Sequence, residues 1–418
     1  MKKAFLCLLI LIIGCNPSDD ITIPDSNIIF TIDIENNAIF SGTRLFYSIK
    51  GEDGEDLAYG ELFNSDKLEI KDLSYTGEKI AVTTFTVSEY SAAAKSYLDI
   101  PIGKSITLVN AAPFPDSSTK LTVNNFPTDF NRIVLARSGA FSPANFILDF
   151  TFTYQFYENL PLLCVTTITS SNNTPKFQTL NLENNSDQVI DLNNSIPMEN
   201  IHNIFSKPSL TGDFDYAIAL TGIKKDSLNP IGDYILYSDL DPGTITDTIQ
   251  AYTPSDFQYF KLKLTAKQDN NIYTQHTNGK IPTMFDFIDP KININNSTFE
   301  NMSISSTENN ISYLYSSWKW NTKDLKKITW EIISEEIMDT KYKIQEIPDA
   351  ILQKVGSLKD SKFLSLTSVS SVNTNNLEYT QIIDKLLINT SFRYIQQPIT
   401  SFEKTLSKTI DVTSCNEQ

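Results

Sequence analysis

The alternation of the chain predicts a mainly β protein, built of tandem β-sandwich, Ig-like domains with a few short helices behind a cleaved leader. Two observations carry that reading. Apolar residues recur with period two along most of the body, which is the signature of half-buried strands, and turn-forming residues break the pattern at short intervals. Composition agrees: 40% hydrophobic, 11% aromatic and only 20% charged residues make a chain that must fold around cores. At ~100–200 residues per domain, 418 residues suggest roughly two to four domains. Thirty-four basic against fifty acidic residues give a net charge of −16, which excludes a general nucleic-acid binder. Two histidines exclude a multi-histidine metal centre, and no cofactor is expected.

The N-terminus supplies the most specific signal. Lys2 and Lys3 precede the apolar run Ala4 to Ile13, which is too short to span a bilayer, since spanning takes ~20 residues. The run ends in Ile12-Ile13-Gly14-Cys15, which resembles the bacterial lipobox, in which the cysteine is acylated and becomes the new N-terminus. The alternative is an ordinary signal peptide with an incidental cysteine. Asn16-Pro17-Ser18-Asp19-Asp20 follows, and Ser18, Asp19 and Asp20 resemble the export signal of Bacteroidota surface lipoproteins, although any lipoprotein needs a polar tether there. The resemblance implies a lipid anchor at Cys15 in the outer membrane and exposure on the cell surface. Two or three acyl chains, at ~0.8 kcal/mol per buried methylene, hold such a protein stably. Residues 1–14 are then the signal peptide and 15–26 the lipidated tether.

The strands follow in order. Ile28, Phe30, Ile32 and Ile34 alternate with Ile29, Thr31, Asp33 and Glu35, and Leu45, Tyr47 and Ile49 continue up to the turn Gly51-Glu52-Asp53-Gly54. Leu57 to Leu62, Leu68 to Ile70, Ile80 to Val87 and Ser105 to Val109 complete a sandwich over 27–111. The stretch from Ile49 through Asp53-Gly54 and Gly60 to Gly77-Glu78-Lys79-Ile80 resembles carboxypeptidase-regulatory-like sandwiches. Ala111-Ala112-Pro113-Phe114-Pro115 reads as the elbow to a second mainly β domain over 112–290. There the aromatic alternation from Phe146 to Phe156, Leu162 to Thr169, Phe214 to Leu220 and Phe260 to Ala266 predict strands, and Ser195 to Phe205 predicts a short helix. An outer-membrane barrel is rejected, because too few comparable strands follow. Over 291–418, a third β-rich domain, Trp318 and Trp330 are expected to stack in one core, with short helices at Pro348 to Val355 and around Ile382, Ile383, Leu386 and Leu387.

Candidate chemistry is sparse. Glu52 to Asp56 and Asp239 to Gly243 cluster carboxylates that could bind Ca²⁺, but turns demand the same residues. There is no nucleophile elbow, and His202 and His276 read as surface residues. Glu331, Glu335 and Glu336 are the best carboxylate group for a hydrolase, and a solvated strand end explains them equally well. Tyr313, Tyr315 and Lys319 lie opposite Trp318 and Trp320, so if the tryptophans are core, these three form a ligand platform suited to a glycan. Cys164 and Cys415 allow one disulfide, or Cys164 is a buried thiol. Asp226-Ser227-Leu228 and Asp247-Thr248-Ile249 resemble O-glycosylation acceptors of exported Bacteroidota proteins. The expected role is therefore non-catalytic: binding, adhesion or accessory assembly at the surface, with the outer membrane and another surface protein or a glycan as partners. The alternatives are a glycan-binding lipoprotein of a nutrient-uptake system and a carboxylate-dependent hydrolase.

Overall fold

A computed structural model describes residues 28–109, 115–137, 140–144, 150–158, 161–169, 174–206, 214–223, 233–240, 248–307, 310–321, 327–390 and 402–410. The chain is mainly β with several sheets and few short helices, as its alternation predicts. The dominant element is a 12-stranded sheet. Its strands run in the order Asp233–Leu240, Asp215–Ile223, Tyr259–Gln268, Asn271–Gly279, Phe402–Thr409, Ser365–Asn373, Tyr313–Asn321, Lys327–Ser334, Ser91–Pro101, Lys79–Val87, Arg44–Lys50 and Asp56–Leu62. All neighbours are antiparallel except Lys327–Ser334 and Ser91–Pro101, which pair in parallel with Glu331 opposite Lys95.

That pairing crosses the boundaries expected near residues 111 and 290. Strands from all three sequence segments hydrogen-bond in this one sheet, and Ile388–Thr390 also pairs with Lys104–Val109.

One face of the sheet is covered along both halves. Over the first and third segments, Phe46, Phe85, Trp318 and Trp330 pack against Phe299, Ile304, Ile351 and Leu358. Trp318 and Trp330 are direct cross-strand partners, and the Phe299 ring lies 5.3 and 4.8 Å from them. Both indole N–H groups are satisfied, Trp318 donating to Ser316 Oγ at 2.9 Å and Trp330 to Ser96 Oγ at 2.8 Å, so this core carries no desolvation penalty there. Over the second segment, Ile218, Leu220, Leu262 and Leu264 pack against Ile204, Ile249, Cys164 and Phe177. The strand Leu162–Thr169 places Cys164 and Ile168 in this core and Leu163 and Val165 in a further one with Leu121, Tyr154 and Phe156, which explains its continuous burial.

Among the described residues, the apolar core on the opposite face gathers at one end. There Tyr47, Ile49, Val82, Tyr97, Tyr313 and Ile333 meet Phe30, Ile32 and Ile106 of a four-stranded sheet and helix α2, Tyr379–Leu387. The helix forms because Glu378 and Gln381 close a capping box, and because Tyr379, Ile382, Ile383, Leu386 and Leu387 fall on one stripe. A second helix, α1 over Asp349–Lys354, follows Pro348 as expected.

Three expectations are corrected. Residues 195–205 form no helix: Asn200–Ser206 is a strand paired with Thr248–Thr253, so Ile204 is buried while Ile201 and Phe205 point outward, each 55% exposed. His202 is not a surface residue; it lies half-buried with Nε2 3.0 Å from Thr253 Oγ1. His276 is not a surface residue either: it sits mid-strand, half-buried, between Lys263 and Glu403.

Candidate functional site

A cleft of about 340 Å³ opens over the tryptophan core. Its floor is apolar, from Phe299, Ile347, Leu352 and Leu358, and its rim carries Glu300, Glu346, Lys359 and Lys362 with Ser361 and Gln345. Local sequence sets each wall. Thr298 leads into the 3-10 turn Phe299–Asn301, whose Phe299 is drawn into the core while Glu300 stays at the rim. Helix α1 stops at Val355, and the following 3-10 turn Gly356–Phe363 buries Leu358 and leaves its lysines outside. Next to Lys362, Phe363 is 49% exposed and its ring lies 5.4 Å from that of Trp320, with the Lys362 ammonium 5.0 Å above the phenyl face. Gln345 lines the cleft with its buried Oε1 lacking a hydrogen-bond partner among the described residues. The volume sits at the small end of ligand sites, ~300–1,000 Å³. An apolar floor with charges of both signs and an exposed aromatic at its margin suits a small polyol or sugar unit.

A second cluster gathers acids at the sheet end. Asp99 occupies a bulge, where the register of Lys79–Val87 against Ser91–Pro101 shifts, and adopts a left-handed φ of 56°. Its Oδ1 accepts from the Tyr342 hydroxyl at 3.0 Å. Lys79 Nζ contacts Glu335 Oε2 at 2.9 Å, while the Lys79 backbone N–H donates to Glu52 Oε1 at 3.0 Å. The Tyr379 hydroxyl donates to Leu98 O at 2.8 Å. Burial pushes the Asp99 carboxyl above the usual range, in spite of the Tyr342 hydroxyl bond and the nearby Lys79 ammonium. The Tyr342 hydroxyl is raised by burial and by Asp99. These acids are engaged in tying the first segment to the third.

The residues singled out in the sequence fall as follows. Cys15, Ser18, Asp19, Asp20 and Cys415 lie outside the described residues, as do Asp226-Ser227-Leu228, Asp247 and Asp241 to Gly243. Cys164 is buried. Tyr313 is 7% exposed in the core formed with the four-stranded sheet and α2, so it cannot serve a platform; Tyr315 is half-buried against that core and Lys319 alone is exposed. Both faces of their strand are packed near Tyr313, rather than one. Glu331 approaches Lys95 Nζ at 3.9 Å and Glu335 is paired with Lys79, while Glu336 is exposed; the three do not converge. In the turn, Glu55 Oε2 accepts from the Asp53 N–H and Glu52 from Lys79, so both carboxylates brace the hairpin. The cleft residues were missed, although Leu358-Lys359-Asp360-Ser361-Lys362-Phe363, an aromatic at the end of a polar run just past a helix stop, was the available signal. No protein-family model matches the chain, and no curated protein matches it.

Proposed function

We propose that this protein is a lipid-anchored, surface-exposed lipoprotein of the outer membrane with a non-catalytic binding or accessory role. The observation that carries the reading is the run Ile12-Ile13-Gly14-Cys15 behind Lys2 and Lys3, followed at once by Ser18-Asp19-Asp20. Loss of the leader removes two lysines from a chain already at −16, so the body is repelled by anionic headgroups and stands off on its tether. Incorporation of an alkynyl palmitate, abolished by Cys15→Ala, tests the anchor. Protease shaving of intact cells tests exposure, and survival of the protein until lysis would refute the reading of Ser18-Asp19-Asp20. Stable co-purification of a TonB-dependent transporter would favour an accessory role.

A glycan-binding role in nutrient uptake is the second reading, favoured by the cleft beside Phe363 and Trp320. Titration with oligosaccharides should then give binding that Phe363→Ala weakens by about 1 kcal/mol or more. Absence of any binding to a broad glycan array would remove this reading.

A further inference from the structure

Gln345 is the polar residue of the cleft whose bonding is left open. Its neighbours Ile344 and Ile347 are anchored in the tryptophan core, so the backbone that carries it is fixed on both sides. Yet its side chain makes no hydrogen bond among the described residues, and its Oε1 is shut off from water. With neither end of the carboxamide held, the group can turn over and present either an N–H or a C=O to the cleft. The surface beside it is apolar, from Phe299, Ile347, Leu352 and Leu358. An uncommitted amide next to an apolar floor calls for a ligand group that is polar at one atom and apolar at the next.

The rim is charged but balanced. Lys359 and Lys362 are three residues apart in the 3-10 turn Gly356–Phe363, where side chains at that spacing eclipse, so they share one wall; the buried Leu358 and Ser361 form the row next to it. Glu300 and Glu346 reach the rim from two other segments. None of these four residues forms an ion pair among the described residues, whereas Lys354, one turn earlier, is paired with Glu61 at 2.9 Å. Two charges of each sign leave no excess to select an anion or a cation. They do supply acceptors and donors for hydroxyl groups.

We infer that the cleft selects the neutral N-acetylated hexosamine units of a glycan, seating the acetamido methyl on the apolar floor and pairing the acetamido amide with Gln345. This rests on the glycan-binding reading of the cleft and narrows it to one class of sugar. A plain hexose would press hydroxyls against the floor without partners, whereas the acetamido group meets both the floor and the carboxamide. The balanced rim favours an uncharged sugar over a uronic acid or a free amino sugar. At about 340 Å³ the cleft holds a short stretch of glycan, and the exposed Phe363 ring at its margin offers a face on which the next unit can stack.

The test is titration of the full-length protein, in micelles of a non-glycosidic detergent, with tri-N-acetylchitotriose and with cellotriose. The two differ only in an acetamido group or a hydroxyl at C2 of each unit. The acetylated trisaccharide should bind at least about tenfold more tightly, from one hydrogen bond and one buried methyl together. Gln345→Leu, which keeps the side-chain bulk, should weaken its binding by about fivefold and leave cellotriose unchanged. Phe363→Ala should weaken both alike, and the fully deacetylated trimer should bind no better than cellotriose. In saturation-transfer spectra of the parent protein, the acetyl methyl protons should receive the largest transfer, a readout that needs no variant. The inference is overturned, and the glycan-binding reading kept, if cellotriose binds as tightly as the acetylated trisaccharide. It is overturned too if a folded Gln345→Leu retains the full preference, or if the acetyl methyls receive no more transfer than the ring protons. If no glycan binds at all, it falls together with the glycan-binding reading.

Discussion

His276→Gln should make the protein more resistant to acid, even if it costs stability at neutral pH. His276 lies mid-strand, directly across from Lys263 on one side and Glu403 on the other. Burial first, and the Lys263 ammonium second, push its imidazole from the ordinary 6.5 down to about 4. Between those values the unfolded chain binds a proton that the folded chain refuses. Stability is therefore full above pH 6.5 and is lost as pH falls through the window to about 4, below which the loss is constant. Each tenfold difference in proton affinity is worth about 1.4 kcal/mol, so the whole window amounts to about 3 kcal/mol, or nearer 2 after allowing for partial exposure. Glutamine keeps a polar side chain of similar reach but cannot titrate. Urea denaturation at pH 7.5, 6, 5 and 4 should show the stability of the parent falling relative to His276→Gln by about 2–3 kcal/mol across the series. Since the carboxylates are common to both proteins, they cancel in the difference. Parallel pH profiles would refute the reasoning, as would an imidazole nitrogen resonance for His276 that titrates near 6.5.

Other perturbations probe the rest of the fold. Asp99→Asn should be neutral or stabilising at pH 7, because asparagine tolerates the left-handed φ, still accepts from Tyr342 and removes a buried charge. As burial raises the Asp99 carboxyl, the folded state holds that proton more tightly than the unfolded one; stability falls as pH rises through the carboxyl's titration range, a dependence that should vanish in thermal melts of Asp99→Asn. Phe299→Ala should cost about 3–5 kcal/mol in urea titrations, since it removes the buried ring that packs on both Trp318 and Trp330 at the cleft floor. Gly54→Ala, at φ 79° and with its new Cβ 2.6 Å from Lys343 Cγ and 2.9 Å from Lys343 Cβ, should cost more than about 1 kcal/mol by the same measurement, from the left-handed backbone and from the displacement of Lys343.

Local alternation was legible in the sequence because it is written within one element. Ile28 to Ile34, the tryptophan strands and the α2 stripe all appear where periodicity places them. Strand Ser91–Pro101 was not foreseen: it begins Ser-Ala-Ala-Ala-Lys, and alanine carries little strand preference. Yet this strand joins the first segment to the third. Ile201, Ile204 and Phe205 have helical spacing, but pairing with Thr248–Thr253 overrides it, leaving two of the three outside the core. Tyr313 misled because alternation distinguishes two faces without saying whether one or both are covered. The cleft was invisible for a different reason. Its walls come from residues near 300, 346 and 359, and no local pattern encodes their meeting.

The parallel pairing of Ser91–Pro101 with Lys327–Ser334 also sets the order in which the molecule can be finished. During synthesis, the first segment emerges with one edge of Ser91–Pro101 bare, and more than two hundred residues must follow before its partner arrives. Loop closure over such separations is entropically costly and slow, and a bare strand edge is a template for pairing with another chain. Cutting the chain near residue 290 would strand that edge permanently and remove α2 from above Tyr97, so the N-terminal portion should be recovered as aggregate rather than as a domain.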